Sequence, residues 1–280
     1  MTSPGDGGLT GAAPRTMDVN SWEDFLTQLA RLRSARQSAG VNDTFLYRGL
    51  SDSIWPLDTS LERFGRRDCR ILAYMESILR ISSQVESLTD RQWLLPTFPE
   101  VQRVLASPTF WDVEFPGKAS SYLVYLRHHG FPSPLLDWTR SENVAAFFAF
   151  RAAAIPADGK VSVFVFSESP NQMRMKSGDL GPAIRTLGPY IRTHKRHFLQ
   201  QSDYTICACF EPCPTFVAHQ CVFDTHEPSQ DLLWKFNLPW SERTRVLKIL
   251  DSYNLNAFSL FDSEESLMET MATRELYSAT

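Results

Sequence analysis

The chain has 280 residues, of which 43% are hydrophobic and 21% are charged, an ordinary composition for a globular protein with a sizeable core. Its net charge of −4 gives no overall bias toward nucleic acid or anionic membranes. No apolar run reaches the roughly 18 residues that a membrane span needs, and the N-terminus lacks the basic and apolar regions of a signal peptide. We therefore expect a cytoplasmic protein that does not associate with membranes.

The N-terminal half predicts a tail followed by alternating helices and strands. Residues 1–17 are rich in glycine, proline, serine and threonine, which predicts a disordered tail. Ser21 precedes a helix with one apolar face, and "TFLYRGL" at 44–50 predicts a short strand that ends in a glycine turn. A long amphipathic helix is predicted over residues 65–88, and the two prolines of "LLPTFPE" end that region.

The middle of the chain predicts a buried helix between two strands. Residues 119–130 form a predicted helix that Gly130 ends, and "LLDW" is a predicted short strand. Thr139 and Glu142 match a capping box before a helix that is apolar on nearly all sides, so we expect this helix in the core. The clearest strand is "VSVFVF" at 161–166.

The last third mixes both kinds of element. Residues 183–199 are predicted to be helical, and "DYTICACF", "TFVAHQCVF" and "DLLWKFNLP" are predicted strands. Residues 240–253 predict a helix, and Asp262 with Glu265 matches a capping box for a last one. Without a regular βαβ alternation, the prediction is an α+β fold with a mainly antiparallel mixed sheet and packed helices. Residues 18–280 show no repeat or shift in composition, which predicts a single domain.

The cysteines raise the question of a metal site. Five cysteines, an odd number in a chain of this size, indicate reduced thiols. Four of them surround a histidine in "CACFEPCPTFVAHQC", but the spacing is unlike the paired Cys-x-x-Cys knuckles that zinc favours. Cysteine also packs well on the buried face of a strand. We favour packing of these cysteines in the core and expect no metal. If a metal does bind, its candidate ligands are Cys207, Cys209, Cys213, His219 and Cys221.

Arg48, in "FLYRGL", ends an apolar strand and precedes a glycine. Its guanidinium suits phosphate or carboxylate, and Gly49 lets a ligand or a backbone segment approach closely. A structural ion pair explains Arg48 equally well.

The segment "LRHHGFPSPLLDWT" holds further polar candidates. Asp137 lies among apolar residues, so its carboxylate must be paired, and Arg48 or a histidine is the natural partner. It either serves a site, by orienting a base or binding a ribose hydroxyl, or fixes the core by accepting backbone N–H bonds. His128 and His129 point about 100° apart on a helix, so at most one faces a given site. Trp138 is either a core residue or a stacking surface.

The most basic run is "RTHKRH" at 192–197, which is either a solvated helix face or the rim of an anion site. The signatures of P-loop ATPases, nucleophile-elbow hydrolases, zinc metalloproteases and Rossmann enzymes do not occur in the sequence.

Four segments in order resemble the FRG domain family: "FLYRGLSDSIWPLDTSLER", "LRHHGFPSPLLDWTRSENVAAFFAF", "RHFLQQSDYTI" and "NLNAFSLFDSEESLMETM". The resemblance spans roughly residues 20–275. The central motif is the specific one, and it departs from the family where Arg127 replaces a glutamine and Ser133-Pro134 replaces Thr-Arg. Ser202-Asp203 replaces a glycine-containing turn of the family.

The layout also resembles Arg-Ser-Glu type ADP-ribosyltransferases, which implies a core of that kind. Such enzymes have a strand ending Tyr-Arg-Gly, a second strand before an Ala/Phe-rich helix, and a glutamate at the start of a third strand. The positions that match are Tyr47, Arg48, Gly49, Trp138, Thr139, and either Gln200 or Gln201.

This resemblance implies an NAD-binding site. Arg48 would hold the pyrophosphate, Asp137 or Thr139 the nicotinamide ribose, and Gln201 would occupy the third catalytic position. Because an amide cannot offset the charge of an oxocarbenium-like centre, Asp203 would have to substitute there. The remaining residues expected to bind the nucleotide are Tyr47, Gly49, His128, His129 and Trp138.

The predicted function is therefore ADP-ribosyl transfer or NAD cleavage, with a protein or nucleic-acid acceptor, in an effector of bacterial defence or stress. The alternatives are a non-catalytic nucleotide-binding or interaction module and a nucleic-acid-processing enzyme. The site hypothesis requires that Arg48, Asp137, Gln201 and either His128 or His129 converge on one cleft.

Overall fold

The computed structural model describes residues 15–38, 44–106, 117–167, 181–188, 191, 195–222 and 232–277. They form an α+β fold, as the sequence predicts. None of the helices in these ranges is both long and apolar enough to cross a membrane.

One sheet collects all the described strands. In chain order these are β1 (Arg15–Asp18), β2 (Phe45–Leu50), β3 (Leu135–Thr139), β4 (Lys160–Ser167), β5 (Ala183–Thr186), β6 (Ser202–Cys209), β7 (Thr215–Phe216) and β8 (Leu232–Pro239). They lie in the order β1-β8-β4-β2-β3-β6-β5, and β7 also pairs with β6. Only β1 and β8 run parallel; the other described pairs are antiparallel, which confirms the predicted mixed, mainly antiparallel sheet.

Helices cover the sheet. They are α1 (Trp22–Ser38), α2 (Ser60–Arg63), α3 (Ile71–Thr89), α4 (Phe98–Leu105), α5 (Ser120–His128), α6 (Glu142–Phe150), α7 (Lys195–Leu199), α8 (Arg243–Ser252), α9 (Ala257–Phe261) and α10 (Glu264–Tyr277). Short 3-10 turns occupy Gly117–Ala119, His219–Val222 and Trp240–Glu242.

The sheet is almost divided into two halves. β2 pairs with β4 along six residues, and β3 pairs with β6 along five. Between β2 and β3, however, the ladder holds a single residue pair, Tyr47 with Thr139. The two strands therefore diverge beyond that pair and leave a gap in the middle of the sheet.

Each half of the sheet has its own helical layer. The β2-β4-β8 half packs against α1, α6 and α8 around Phe25, Phe150 and Phe236. The β3-β6 half packs against α3, α4 and α5 around Tyr122 and Tyr204. The helix that is apolar on all sides, α6, lies directly under β2, as expected from its composition.

Several element predictions need correction. The predicted helix over 183–199 is wrong in its first part, because Ala183–Thr186 pair with β6 as an edge strand and only Lys195–Leu199 are helical. The predicted strand in "TFVAHQCVF" is only two residues long, and a 3-10 turn over His219–Val222 follows it. The helix predicted from residue 65 begins at Ile71.

The predicted tail and two predicted caps also differ. Arg15–Asp18 pair with β8, so the tail predicted over residues 1–17 overlaps this strand, and residues 1–14 lie outside the described residues. The N-cap of α6 is Ser141, whose hydroxyl accepts from the Val144 N–H, rather than Thr139. Ser263, rather than Asp262, caps α10 through reciprocal bonds with Ser266.

Candidate functional site

A cleft opens where β2 and β3 diverge. Its volume is about 360 Å³, within the range of small-molecule sites. Its walls are formed by the two diverging strands, by α5 and α6, and by the regions of α7 and α9. The lining residues are Tyr47, Arg48, Gly49, Leu50, Ser51, Trp55, Arg127, His128, Asp137, Trp138, Thr139, Phe148, Arg196, Gln200, Ser202 and Phe261.

Arg48 lies in the gap between the two strands. Strand alternation turns Tyr47 and Gly49 toward α6 and turns Arg48 to the opposite face. Its Nη1 donates to the backbone carbonyl of Asp137 at 2.6 Å, so the side chain bridges strands that the backbone no longer joins. Burial lowers the pKa of Arg48 to about 10, opposed by the nearby Asp137 carboxylate, so the group stays charged at pH 7. Its Nε has no acceptor among the described residues.

Asp137 is held by a second arginine. Arg127 Nη2 lies 2.6 Å from Asp137 Oδ2. Within the described part of the chain, Asp137 Oδ1 and Arg127 Nε are buried and lack hydrogen-bond partners. Buried polar atoms are normally satisfied, so these two atoms and Arg48 Nε form a cluster of three unsatisfied polar atoms behind the cleft surface.

Of the two adjacent histidines, only His128 lines the cleft. Its Nε2 lies 2.8 Å from the hydroxyl of Tyr204, and His197 Nδ1 lies 3.3 Å from the same oxygen. Burial raises the pKa of Tyr204 and lowers the pKa of His197, so both stay neutral at pH 7. His129 instead is exposed and packs on Tyr125 with 4.2 Å between ring centroids.

Trp138 belongs to a buried polar chain behind the cleft. Its Nε1 donates to Thr205 Oγ1 at 2.7 Å, and that oxygen lies 2.9 Å from His219 Nε2. Burial, reinforced by the charge of Arg48, lowers the pKa of His219 to about 3. His219 is therefore neutral and adds no further positive charge near Arg48.

At the third predicted element, the structure places the two alternative glutamines differently. Gln201 is exposed and adopts a left-handed backbone with φ of 48°, whereas Gln200 lines the cleft. The Gln200 carbonyl accepts from the Thr139 hydroxyl at 2.7 Å, and its side-chain amide donates to the Leu260 carbonyl at 3.2 Å. Asp203 is buried, pairs with Arg140 at 2.8 Å, and is not among the lining residues.

Tyr47 and Gly49 are fixed by packing. The Tyr47 hydroxyl accepts from Arg33 Nη2 at 2.6 Å, and burial raises its pKa to about 12. A Cβ at Gly49 would lie 1.9 Å from the carbonyl oxygen of Ala145 in α6. The close approach that the sequence predicts at Gly49 is thus the approach of a helix.

Sequence reasoning missed the cationic and aromatic residues that complete the walls. Arg127 stood out only as a departure from a family motif, and Trp55, Phe148 and Phe261 gave no signal beyond an apolar pattern. The basic run at 192–197 does not act as one surface in its described part: Lys195 pairs with Asp262, His197 is buried, and Arg196 lines the cleft. Residues 192–194 lie outside the described residues.

The cysteine segment shows no metal site in the part that the structure describes. No group of three or more His, Cys, Asp or Glu side chains there could hold an ion. Cys207 and Cys209 are buried on β6, in agreement with packing, and the Cys221 side chain lies outside the described residues.

The family model of the FRG domain matches residues 43–157. This range includes β2, β3 and α6, and with them Arg48, Arg127 and Asp137. Arg196, Gln200 and Phe261 lie outside it, so the match covers most of the cleft but not all. No curated protein and no solved structure matches the chain.

Proposed function

We propose that this chain, which carries an FRG domain, binds NAD in the cleft between β2 and β3 and cleaves it as an ADP-ribosyltransferase or NAD glycohydrolase. The carrying observation is the charge pattern of the cleft. Three arginines, Arg48, Arg127 and Arg196, face it together with one carboxylate, Asp137. Clustered guanidiniums suit a pyrophosphate, because each offers a fork of N–H donors.

The arrangement of the strands supports the same proposal. The three elements that the resemblance requires, β2, β3 and β6, are neighbours in the sheet. Arg48 follows Tyr47 on the first, and Asp137 and Thr139 lie on the second. Gln200 precedes the third and lines the cleft.

Asp137 is the group that we assign to the reaction. In NAD cleavage the bond between the ribose C1′ and the nicotinamide nitrogen breaks, and nicotinamide leaves with the bonding electrons. Water or an acceptor nucleophile then attacks C1′ and loses its proton. The positive charge that develops on the ribose is stabilised by a nearby carboxylate, and Asp137 lines the cleft with a partly exposed side chain.

One observation favours a second candidate, a module that binds the nucleotide without cleaving it. The third element contributes an amide from Gln200 rather than a carboxylate, and this amide already donates to Leu260. Asp137, the single carboxylate among the described lining residues, is partly neutralised by its ion pair with Arg127. Binding would then persist without turnover.

Calorimetric titration with NAD, combined with chromatographic detection of released nicotinamide, separates the two candidates. Arg48→Lys keeps the charge but loses the fork, and we expect at least a tenfold loss of affinity, since hydrogen bonds to charged groups contribute about 1.5–3 kcal/mol. Asp137→Asn should retain binding within a few-fold and lower nicotinamide release at least 100-fold.

The matched control is Arg245→Lys, because Arg245 is an exposed arginine that pairs with Glu23 and is not among the cleft-lining residues. Arg245→Lys should change neither the affinity for NAD nor the release of nicotinamide. Thermal unfolding verifies that each variant is folded. Binding without release by the wild type would support the non-catalytic module. A folded wild type that does not bind NAD would refute both.

A further inference from the structure

Trp55 is placed unlike the tryptophans of the core. Its residue is 50% exposed and lines the cleft, whereas Trp22, Trp138 and Trp234 are at most 5% exposed. Exposing half of an indole forfeits much of the free energy that its burial would provide. Other aromatic residues, such as Phe64 and Phe198, are also exposed, but Trp55 lines the cleft, where its ring is available to a bound molecule.

The turn that carries Trp55 is clamped to the neighbouring segment. The buried Asp52 carboxylate accepts from the Ile54 N–H at 3.0 Å and from the Ala157 N–H at 3.1 Å. The Ser53 N–H donates to the Lys160 carbonyl at 2.9 Å, and the Trp55 N–H donates back to the Asp52 carbonyl at 3.3 Å. The Asp52 carboxylate and the backbone bonds thus hold the turn without a hydrogen bond from the indole, and Trp55 lines the cleft.

The same cleft holds the cationic groups. Trp55 follows Arg48 by seven residues on the continuation of β2, and both line one cavity with Arg127. An aromatic face beside guanidiniums fits a molecule with a planar base at one end and phosphate at the other. Base stacking on aromatic side chains does not depend on which base is present.

We propose that Trp55 is the stacking platform for the base of a nucleotide whose phosphates lie on Arg48 and Arg127. This inference rests on the proposed function in taking a nucleotide as the ligand, but not on cleavage. It assigns recognition of the base to Trp55 and recognition of the phosphate to the arginines.

Titrations with NAD, ADP-ribose and inorganic pyrophosphate separate the two parts. Stacking contributes about 1–3 kcal/mol per base, and 1.4 kcal/mol corresponds to tenfold, so Trp55→Ala should weaken the binding of NAD and ADP-ribose by about 5- to 150-fold. Pyrophosphate has no base, and its affinity should stay within twofold. Trp55→Phe should restore most of the loss. Tyr253→Ala removes another exposed aromatic, outside the cleft, and should change nothing.

The outcomes distinguish this inference from the proposed function. If Trp55→Ala weakens the binding of NAD and ADP-ribose but not of pyrophosphate, and the wild type releases no nicotinamide, stacking is supported and cleavage is rejected. Nicotinamide release with unchanged NAD affinity in Trp55→Ala would support cleavage and reject stacking. Equal weakening of pyrophosphate and NAD would show that the substitution disturbs the turn, and the inference would fall. A wild type that binds none of the three ligands overturns both.

Discussion

Replacing Gly49 by alanine tests how the cleft is built. A Cβ at this position would lie 1.9 Å from the Ala145 carbonyl oxygen and 2.7 Å from the Ala149 nitrogen, both backbone atoms of α6. Strand and helix must separate by about 1.1 Å before the closer contact reaches 3.0 Å, a distance below which real Cβ contacts hardly occur. Overpacking costs about 1–3 kcal/mol, and we expect about 3 kcal/mol because backbone cannot rotate away.

Thermal unfolding followed by circular dichroism measures this cost. About 3 kcal/mol corresponds to a fall in Tm of about 6–12 °C. Gly65→Ala is the control, because Gly65 has a φ of +85° and open space around it, so only backbone strain of about 1–2 kcal/mol applies. Ala145→Gly should not rescue Gly49→Ala, since the clash is with backbone. A Tm for Gly49→Ala within 2 °C of the wild type would refute the reasoning.

Two further predictions concern the buried chain behind the cleft. Thr205→Val leaves Trp138 Nε1 and His219 Nε2 buried without a shared partner, and we expect a loss of about 2–4 kcal/mol in the free energy of unfolding by urea; a loss below 0.5 kcal/mol would contradict it. His219 takes up a proton near pH 6.5 when unfolded but only near pH 3 when folded, so the unfolded state binds more protons between these values. Stability should therefore fall as pH drops through this window, by up to about 1.4 kcal/mol per unit, and urea titrations of His219→Gln between pH 6 and 5 should show a shallower slope.

The parts of the fold that could be predicted are those where burial alone decides the pattern. β4 is mostly apolar and is buried from Val161 onward because both of its faces are covered, and α6 is apolar on nearly all sides because it lies between the sheet and other helices. The composition of such segments is enough to predict that they are buried. Local periodicity and turn residues were enough to find them.

The local sequence was a poor guide where contacts with another element determine the conformation of a segment. Ala183–Thr186 form a strand because they lie beside β6, and they are too short to show a strand period. The cysteine-rich segment after β6 forms a strand of only two residues, Thr215–Phe216, and a 3-10 turn follows at His219–Val222. Tertiary contacts overrode propensity in both places.

The site could be predicted in part for a similar reason. Arg48 and Asp137 were found because a charged group within an apolar strand needs a partner, and the structure brings them together through the Asp137 carbonyl. The sequence left Gln200 and Gln201 as alternatives, because it does not show that Gln201 adopts a left-handed conformation and is exposed, whereas Gln200 lines the cleft. The sequence did not indicate Trp55, because the exposure of an aromatic side chain depends on the turn that carries it.

The single pair between β2 and β3 explains why the polar groups gather at this place. A complete ladder would satisfy the backbone of both strands and leave no cleft. With only Tyr47 and Thr139 paired, the Asp137 carbonyl needs another donor, and the Arg48 guanidinium supplies it. The arginine that closes the gap in the ladder is thereby held, charged and incompletely satisfied, at the bottom of the cavity that the gap creates. In the proposed function, the charge of this guanidinium attracts the phosphates of the nucleotide while its Nη1 stays bonded to the sheet.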